Sequence, residues 1–250
     1  TIITPISYDH TEILGETIQE IAIEKAGIMK KNIICISAKQ LPEAEKTLKK
    51  MALKKGSPLY FLKNYHTFNH HYNFKCEKQK ENSNLALFAL EHLKQFNINQ
   101  STKIDALNTV TWYGRNQMIN IKPTIIFDVG HNKDGILAFI KYYKSLNILG
   151  NSTLIIALYA RKKIIDVVSL LEKTFTKIIC TETDGKNPMQ AKVLAKLFSQ
   201  DHNIQIIKNP EKAIEQELMN LQKTDGLAIL GTHCLGPAIS KKFNISFDTI

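Results

Sequence analysis

The sequence predicts an α/β protein: a partial α/β domain followed by a complete, doubly wound, mostly parallel domain. Three observations carry this. Beyond about residue 122, short apolar runs at 123–127, 153–158, 177–181, 203–207 and 226–230 alternate with helix-length stretches at about 133–145, 163–174, 187–199 and 210–222. Strands that alternate with helices of this length form a parallel sheet with helices on both faces. Residues 1–95 show the same alternation but stop after three strands, like the back half of a second domain. Between them, residues 95–122 are polar and read as a linker, which sets the domains at 1–111 and 112–250.

Taken in order, residues 1–7 read as a strand and Tyr8-Asp9-His10-Thr11 as the loop leaving it. A helix follows at about 17–29, opened by Thr17-Ile18-Gln19-Glu20, a capping-box pattern in which Thr17 and Glu20 satisfy free backbone N–H groups. Residues 33–36 read as a buried strand. Residues 42–54 read as a helix with Ala44, Leu48, Met51 and Ala52 on one face. A short strand at 58–62, an aromatic and polar hairpin over 64–78 and a helix at 82–94 complete the first part.

Composition narrows the function. The 250 residues are 44% hydrophobic, enough for a sizeable core and too many for a disordered chain. No apolar run approaches the ~18–20 residues that span a bilayer. The N-terminus has neither the basic region nor the cleavage site of a signal peptide. It lacks a starting Met and opens directly into an apolar run, which points to a truncated chain or a processed fragment. Cys35, Cys76, Cys180 and Cys234 show no C-x-x-C spacing and read as buried free thiols of a reducing, cytoplasmic protein. The net charge of +10 suits anionic small molecules. No basic cluster alternates with aromatics and no nucleic-acid-binding signature is present, so neither nucleic acid nor membrane is expected as a partner.

Several residues stand where chemistry is done. His10 follows the C-terminal end of a strand, where open α/β sheets place their ligands, and a neutral imidazole there can bind a metal. Lys25 shares a helix face with Ile18, Ile21, Ala22 and Ile28/Met29. Burial on that stripe would disfavour its ammonium and leave a nucleophilic amine; the alternative is a lysine that snorkels to water. Asn82 opens a helix, where Asn is ordinarily a cap. Arg115 lies in the linker, where arginines are ordinarily solvated. Phe127-Asp128-Val129-Gly130-His131-Asn132 leaves a parallel strand and enters a helix, so its N–H groups and the helix dipole favour anions.

These segments together resemble the folylpolyglutamate synthase/dihydrofolate synthase family of the Mur ligase superfamily. Asp9-His10-Thr11 and Glu24-Lys25-Ala26-Gly27-Ile28, about 15 residues apart, are similar to its signature. The resemblance implies a magnesium-binding His10 and a carbamylated Lys25 that organises the metal site. It implies contacts to ATP from Asn82, from Arg115 in Tyr113-Gly114-Arg115 (where the family has Pro-Gly-Arg), and from Asp128. It places His131 and Thr232, of Leu230-Gly231-Thr232-His233, on the glutamate side. Arg161 stands where the family has Asp and takes no role. The implied fold is a partial ATPase-type domain, the C-terminal part of the central ligase domain, followed by a Rossmann-like glutamate-ligase domain.

The implied activity is ATP- and Mg2+-dependent addition of L-glutamate to a folate or dihydropteroate carboxylate through an acyl phosphate, by an intact enzyme that is a monomer. The chain contains no G-x-x-x-x-G-K-[ST] run; the family's P-loop lies upstream of the segments matched here. The chain by itself is therefore expected to be inactive. Two other readings stay open: a cell-wall Mur-type amino-acid ligase, and a non-catalytic nucleotide-binding fragment.

Overall fold

The computed structural model describes residues 1–9, 11–62, 77–93 and 95–247, apart from the side chain of Glu12. The chain divides into two compact units, Thr1–Val110 and Thr111–Ile250.

The first unit runs β1 (Ile2–Ile3), α1 (Thr11–Leu14), α2 (Ile18–Lys25), a 3-10 turn (Ala26–Ile28), β2 (Cys35–Ser37), α3 (Pro42–Lys55), β3 (Leu59–Phe61), α4 (Glu77–Glu91) and α5 (Gln100–Thr109). Its three strands are parallel, with β2 central. Alternation along β2 divides the core. Cys35 packs with Ile18, Ile21 and Ala22 of α2 and Ala44 and Leu48 of α3, while Ile36 packs with Leu85 and Ala89 of α4 on the other face. The capping box is present: Glu20 N–H donates to Thr17 Oγ1 at 3.2 Å, and Thr17 N–H to the Glu20 carboxylate at 3.0 Å. Helix α3 starts on Pro42 and stops at Gly56, whose φ of 63° is left-handed.

Three expectations for this unit change. The first strand is two residues rather than seven, because Pro5 has no N–H to give a ladder and the Ile6 N–H goes instead to Gln40 Oε1 at 2.9 Å. Helix α4 begins at Glu77, so Asn82 lies within it and is not a cap. The supposed linker holds α5, capped by Asn99 Oδ1 accepting from Thr102 N–H at 2.8 Å; with no buried residue it shows no apolar stripe. The expected hairpin lies almost wholly outside the described residues.

The second unit runs β4 (Gln117–Asn120), β5 (Thr124–Asp128), α6 (Lys133–Ser145), β6 (Ser152–Ile156), α7 (Ile165–Thr174), β7 (Lys177–Cys180), α8 (Ala191–Ala195), β8 (Ile204–Ile206), α9 (Pro210–Asn220), β9 (Gly226–Leu230), a 3-10 turn (His233–Leu235) and α10 (Gly236–Phe243). The strand order is β4-β5-β9-β6-β7-β8, with β4 antiparallel to β5 and the other pairs parallel. This is a mostly parallel, Rossmann-like sheet. From β5 to β8 the chain steps one way; it then returns to set β9 between β5 and β6. Right-handed crossovers put α6, α7 and α8 on one face and α9 on the other.

The side chains agree. Phe127, Ile155, Ile179, Leu227 and Ile229 pack with Ala213 and Ile214 of α9 and with Ala238 and Ile239 of α10. On the opposite side the ring of Tyr143 in α6 lies 4.8 Å from that of Phe175, and its hydroxyl bonds Ser152 Oγ at 3.1 Å. Residue 226 must be glycine, since a β-carbon there would come 2.2 Å from that hydroxyl.

The expected strand–helix series is present, with α8 cut to five residues where 187–199 was expected. Asn187 is left-handed at φ 59° and Pro188 follows it, so the helix starts only at Ala191. Strand β4 and helix α10 were not expected. β4 is a half-exposed edge strand with Gln and Asn at its ends.

Candidate functional site

Parallel strands deliver their C-terminal ends to one edge of the sheet, where ligands of such folds bind. In the second unit β5 and β9 are adjacent there, with Asp128 opposite Leu230. The Gly231 N–H then donates to the Asp128 carbonyl at 3.0 Å. The segments 128–132 and 231–235 therefore leave the sheet side by side. Gly231 has φ 129°, and a β-carbon there would lie 2.0 Å from the Ala157 carbonyl oxygen, so only glycine fits.

Asp128 organises the first segment. Its carboxylate accepts from the Asn116 N–H at 2.7 Å and from the Gly130 N–H at 2.6 Å. Its side chain is buried, and desolvation pushes its pKa above the ordinary carboxylate range against those two bonds and the nearby Arg115 guanidinium. Arg115 is exposed. It is placed by Gly114, which is left-handed at φ 67° and lies so close to Val129 that a β-carbon would meet Val129 Cγ1 at 2.8 Å. His131 is half-buried, and its Nδ1 lies 2.9 Å from the Val129 carbonyl, which fixes the Nδ1–H tautomer of the neutral ring. Asn132 Oδ1 caps α6 by accepting from the Gly135 N–H at 2.9 Å.

The second segment is built by Thr232. Its side chain is fully buried and its Oγ1 accepts from the Cys234 N–H at 3.3 Å, so it caps the 3-10 turn that carries the exposed His233. The pKa of His233 is lowered, first by partial desolvation of the ring and then by Arg115. Arg115 thus acts electrostatically on both Asp128 and His233, and the structure gathers Arg115, Asp128, His131 and the Thr232 turn at one sheet end.

Sequence reasoning missed two members of this site. Asn116 gives Asp128 a donor from a left-handed φ of 46°, and its own Oδ1 is buried without a partner. An Asn directly after Gly-Arg is the signal that could have shown this, because Asn tolerates the left-handed region. His233 was quoted in the motif and given no role.

In the first unit the expectations fare differently. His10 lies outside the described residues. Asn82 is exposed on α4, its Nδ2 donating to Gln79 Oε1 at 3.4 Å. Lys25 is exposed, whereas Ile18, Ile21, Ala22, Ala26 and Met29 are buried. The burial on which its sequence argument rested is absent. The α-helix ends at Lys25 and tightens into the 3-10 turn, which turns Ala26 and Met29 toward α3. Lys25 is left in the last turn, where a cation faces the negative end of the helix dipole. Among the described residues no three His, Cys, Asp or Glu side chains gather as a metal site.

The sequence that carries this site is similar to a known domain family. Residues 114–233 match the family model described as Mur ligase, glutamate ligase domain. Curated proteins similar to this chain include folylpolyglutamate and dihydrofolate synthases. The dihydrofolate synthase/folylpolyglutamate synthase of Buchnera aphidicola (from Acyrthosiphon pisum) is 28% identical over 93% of this chain and 59% of its own length. That of Bacillus subtilis is 31% identical over 54% of this chain and 37% of its own. The chain thus spans between about two-fifths and three-fifths of these relatives.

Solved structures show the same fold. E. coli FolC in complex with DHPP and ADP superposes with a TM-score of 0.84 at 21% identity, covering 96% of this chain and 60% of that one. The Yersinia pestis bifunctional enzyme with AMPPNP and Mn ion gives 0.82 at 17%, covering 98% and 62%.

Proposed function

We propose that the chain is part of an ATP-dependent amide ligase that adds L-glutamate to a folate or dihydropteroate carboxylate in the cytoplasm. The observation that carries this is the gathering of Arg115, Asp128 and His131 beside the Thr232 turn, in a domain of the glutamate-ligase class. The substrate carboxylate takes the terminal phosphoryl group of ATP, and ADP leaves. The glutamate amine then attacks the acyl carbon, phosphate leaves, and the amine gives up its proton. The fit to a nucleotide rests on this chain's own groups. Arg115 is an exposed guanidinium held by a tight glycine turn and suits phosphate oxygens. Asp128 fixes the loop whose N–H groups open α6 and itself contacts the nucleotide. His131 and the turn capped by Thr232 line the glutamate side, with His131 held in one tautomer.

Asn82 joins the ATP contacts from the first unit. Magnesium, when bound, neutralises phosphate charge; His10 and a carbamate on Lys25 are its proposed holders. The carbamate would form from the neutral fraction of the Lys25 amine and CO2 with release of a proton to water, and the resulting anion would need the metal's charge beside it. With no P-loop in these 250 residues, turnover needs one from polypeptide outside them, and the chain by itself is inactive.

The test is ADP release that depends on both glutamate and a folate acceptor, measured on the polypeptide as encoded and on residues 1–250 alone. Release from the first and none from the second is expected. No release from the first overturns the ligase reading; release from the second overturns the requirement for an outside P-loop.

A further inference from the structure

The Arg115 guanidinium makes no hydrogen bond or ion pair with the described residues, so its direction is set by the backbone that carries it. That backbone is a tight turn. The residues on either side of Arg115, Gly114 and Asn116, are both left-handed, at φ 67° and 46°. Such a conformation persists only where its surroundings hold it. Two of the holds come from the end of β5 and the loop after it. The Gly114 carbonyl accepts from the Val129 N–H at 2.9 Å, and the Asn116 N–H donates to the Asp128 carboxylate at 2.7 Å. The third comes from the turn's own end. Gly114 is buried, and its N–H donates to Gln117 Oε1 at 2.9 Å. Gln117 opens β4 and stands opposite Phe127 of β5, so the sheet fixes the residue from which this side chain reaches back.

We propose that Gln117 is a positioning residue, which aims Arg115 at the nucleotide phosphates by holding the Gly114 N–H. A buried N–H requires an acceptor, and the Gln117 amide oxygen is the one that meets it. Without that bond the turn keeps its two ties to the 128–129 segment but is free to swing at its β4 end. Arg115 rides on the middle of the turn and swings with it. Gln117 touches no substrate in this scheme and acts only through Arg115. The proposal deepens the ligase reading and rests on it for what Arg115 contacts; the clamp itself stands on the hydrogen bonds alone.

Steady-state ADP release by the polypeptide as encoded tests it. Gln117→Met, which keeps the shape and removes the acceptor, should raise the KM for ATP about tenfold and leave the KM for glutamate within about twofold. Mere loss of folded protein would lower kcat and leave both KM values alone. Gln117→Asn, an amide one methylene too short, should behave like Gln117→Met, whereas Gln117→Glu keeps the acceptor and should retain most of the wild-type KM. Arg115→Met combined with Gln117→Met should be no worse than Arg115→Met alone, because the second residue acts through the first. An unchanged KM for ATP in Gln117→Met, losses that multiply in the double variant, or a Gln117→Glu as poor as Gln117→Met overturns the positioning role. Amide hydrogen exchange on residues 1–250 judges the clamp without the reaction. The Gly114 N–H should exchange about tenfold faster in Gln117→Met and Gln117→Asn than in wild type, with Ile155 and Ile229 at the sheet centre unchanged. An unchanged Gly114 rate overturns the clamp, even where the polypeptide as encoded releases no ADP and the ligase reading falls separately.

Discussion

Asp128 carries two opposed influences whose balance can be measured. Two N–H donors at 2.6 and 2.7 Å favour its anion, while burial opposes it and wins, so its folded pKa lies above the unfolded value of about 3.9. A carboxyl raised in this way contributes stability that is full below the unfolded pKa and is lost as pH rises through the folded one. Urea unfolding of wild type and Asp128→Asn over a series of pH values should therefore show the wild type's relative stability falling as pH rises from about 4, then levelling off. A relative stability that grows with pH would mean that the N–H bonds outweigh burial. The same balance keeps a protonatable group in the loop that opens α6, beside a guanidinium.

At the scale of elements, α9 is tied to the sheet by more than its apolar face. Glu217 is 6% exposed; its carboxylate accepts from Thr153 Oγ1 on β6 at 2.6 Å and pairs with Lys177 on β7 at 2.6 Å. Removing the acid leaves a buried hydroxyl and a largely covered ammonium unanswered. Glu217→Ala should cost roughly 3–5 kcal/mol, read as a shift of the denaturation midpoint. Glu217→Leu with Lys177→Met should cost much less, because no charge is left uncompensated. If the double variant is as unstable as the single one, packing volume rather than charge pairing is what Glu217 supplies.

The central elements were legible because their period and their burial agree. β5, β6, β7 and β9 are nearly continuous apolar runs, and α6, α7 and α9 carry clear stripes. What was not legible lies at edges. β4 is polar because one edge faces water, α5 buries nothing, and α8 is shortened by a left-handed Asn before a proline. The candidate site was partly legible. Asp128, His131 and Arg115 were visible as a strand-end loop and a Gly-Arg pair. Asn116 acts through its backbone N–H, which sequence does not display, and His233 gains its setting from Arg115, which comes from a distant part of the chain. The expected burial of Lys25 is what differs: it stands on the stripe by spacing, but as the last residue of α2 it is exposed.

At the scale of the molecule, the two units differ in the size of their described sheets. The second has a six-stranded sheet with helices on both faces, and residues 111–250 should fold alone with a single cooperative thermal transition. Limited proteolysis of the whole chain should leave a lasting core that begins near Thr111, identified by mass. A lasting core confined to residues before 111 would reverse the expected order of stability. Among the described residues the first unit has a three-stranded sheet whose first strand is two residues long, which offers less structure to resist opening.

The return of β9 into the middle of the sheet bears on how the protein is made. A ribosome releases β5, β6, β7 and β8 first, yet β5 and β6 never touch as partners; each pairs with a strand synthesised some seventy residues or more after them. Until that strand emerges, the nascent second unit holds β5 and β6 with a slot between them and their paired edges open to other chains. The nascent unit needs shelter until β9 has emerged, and any premature stop before β9 releases a polypeptide that cannot close its own core.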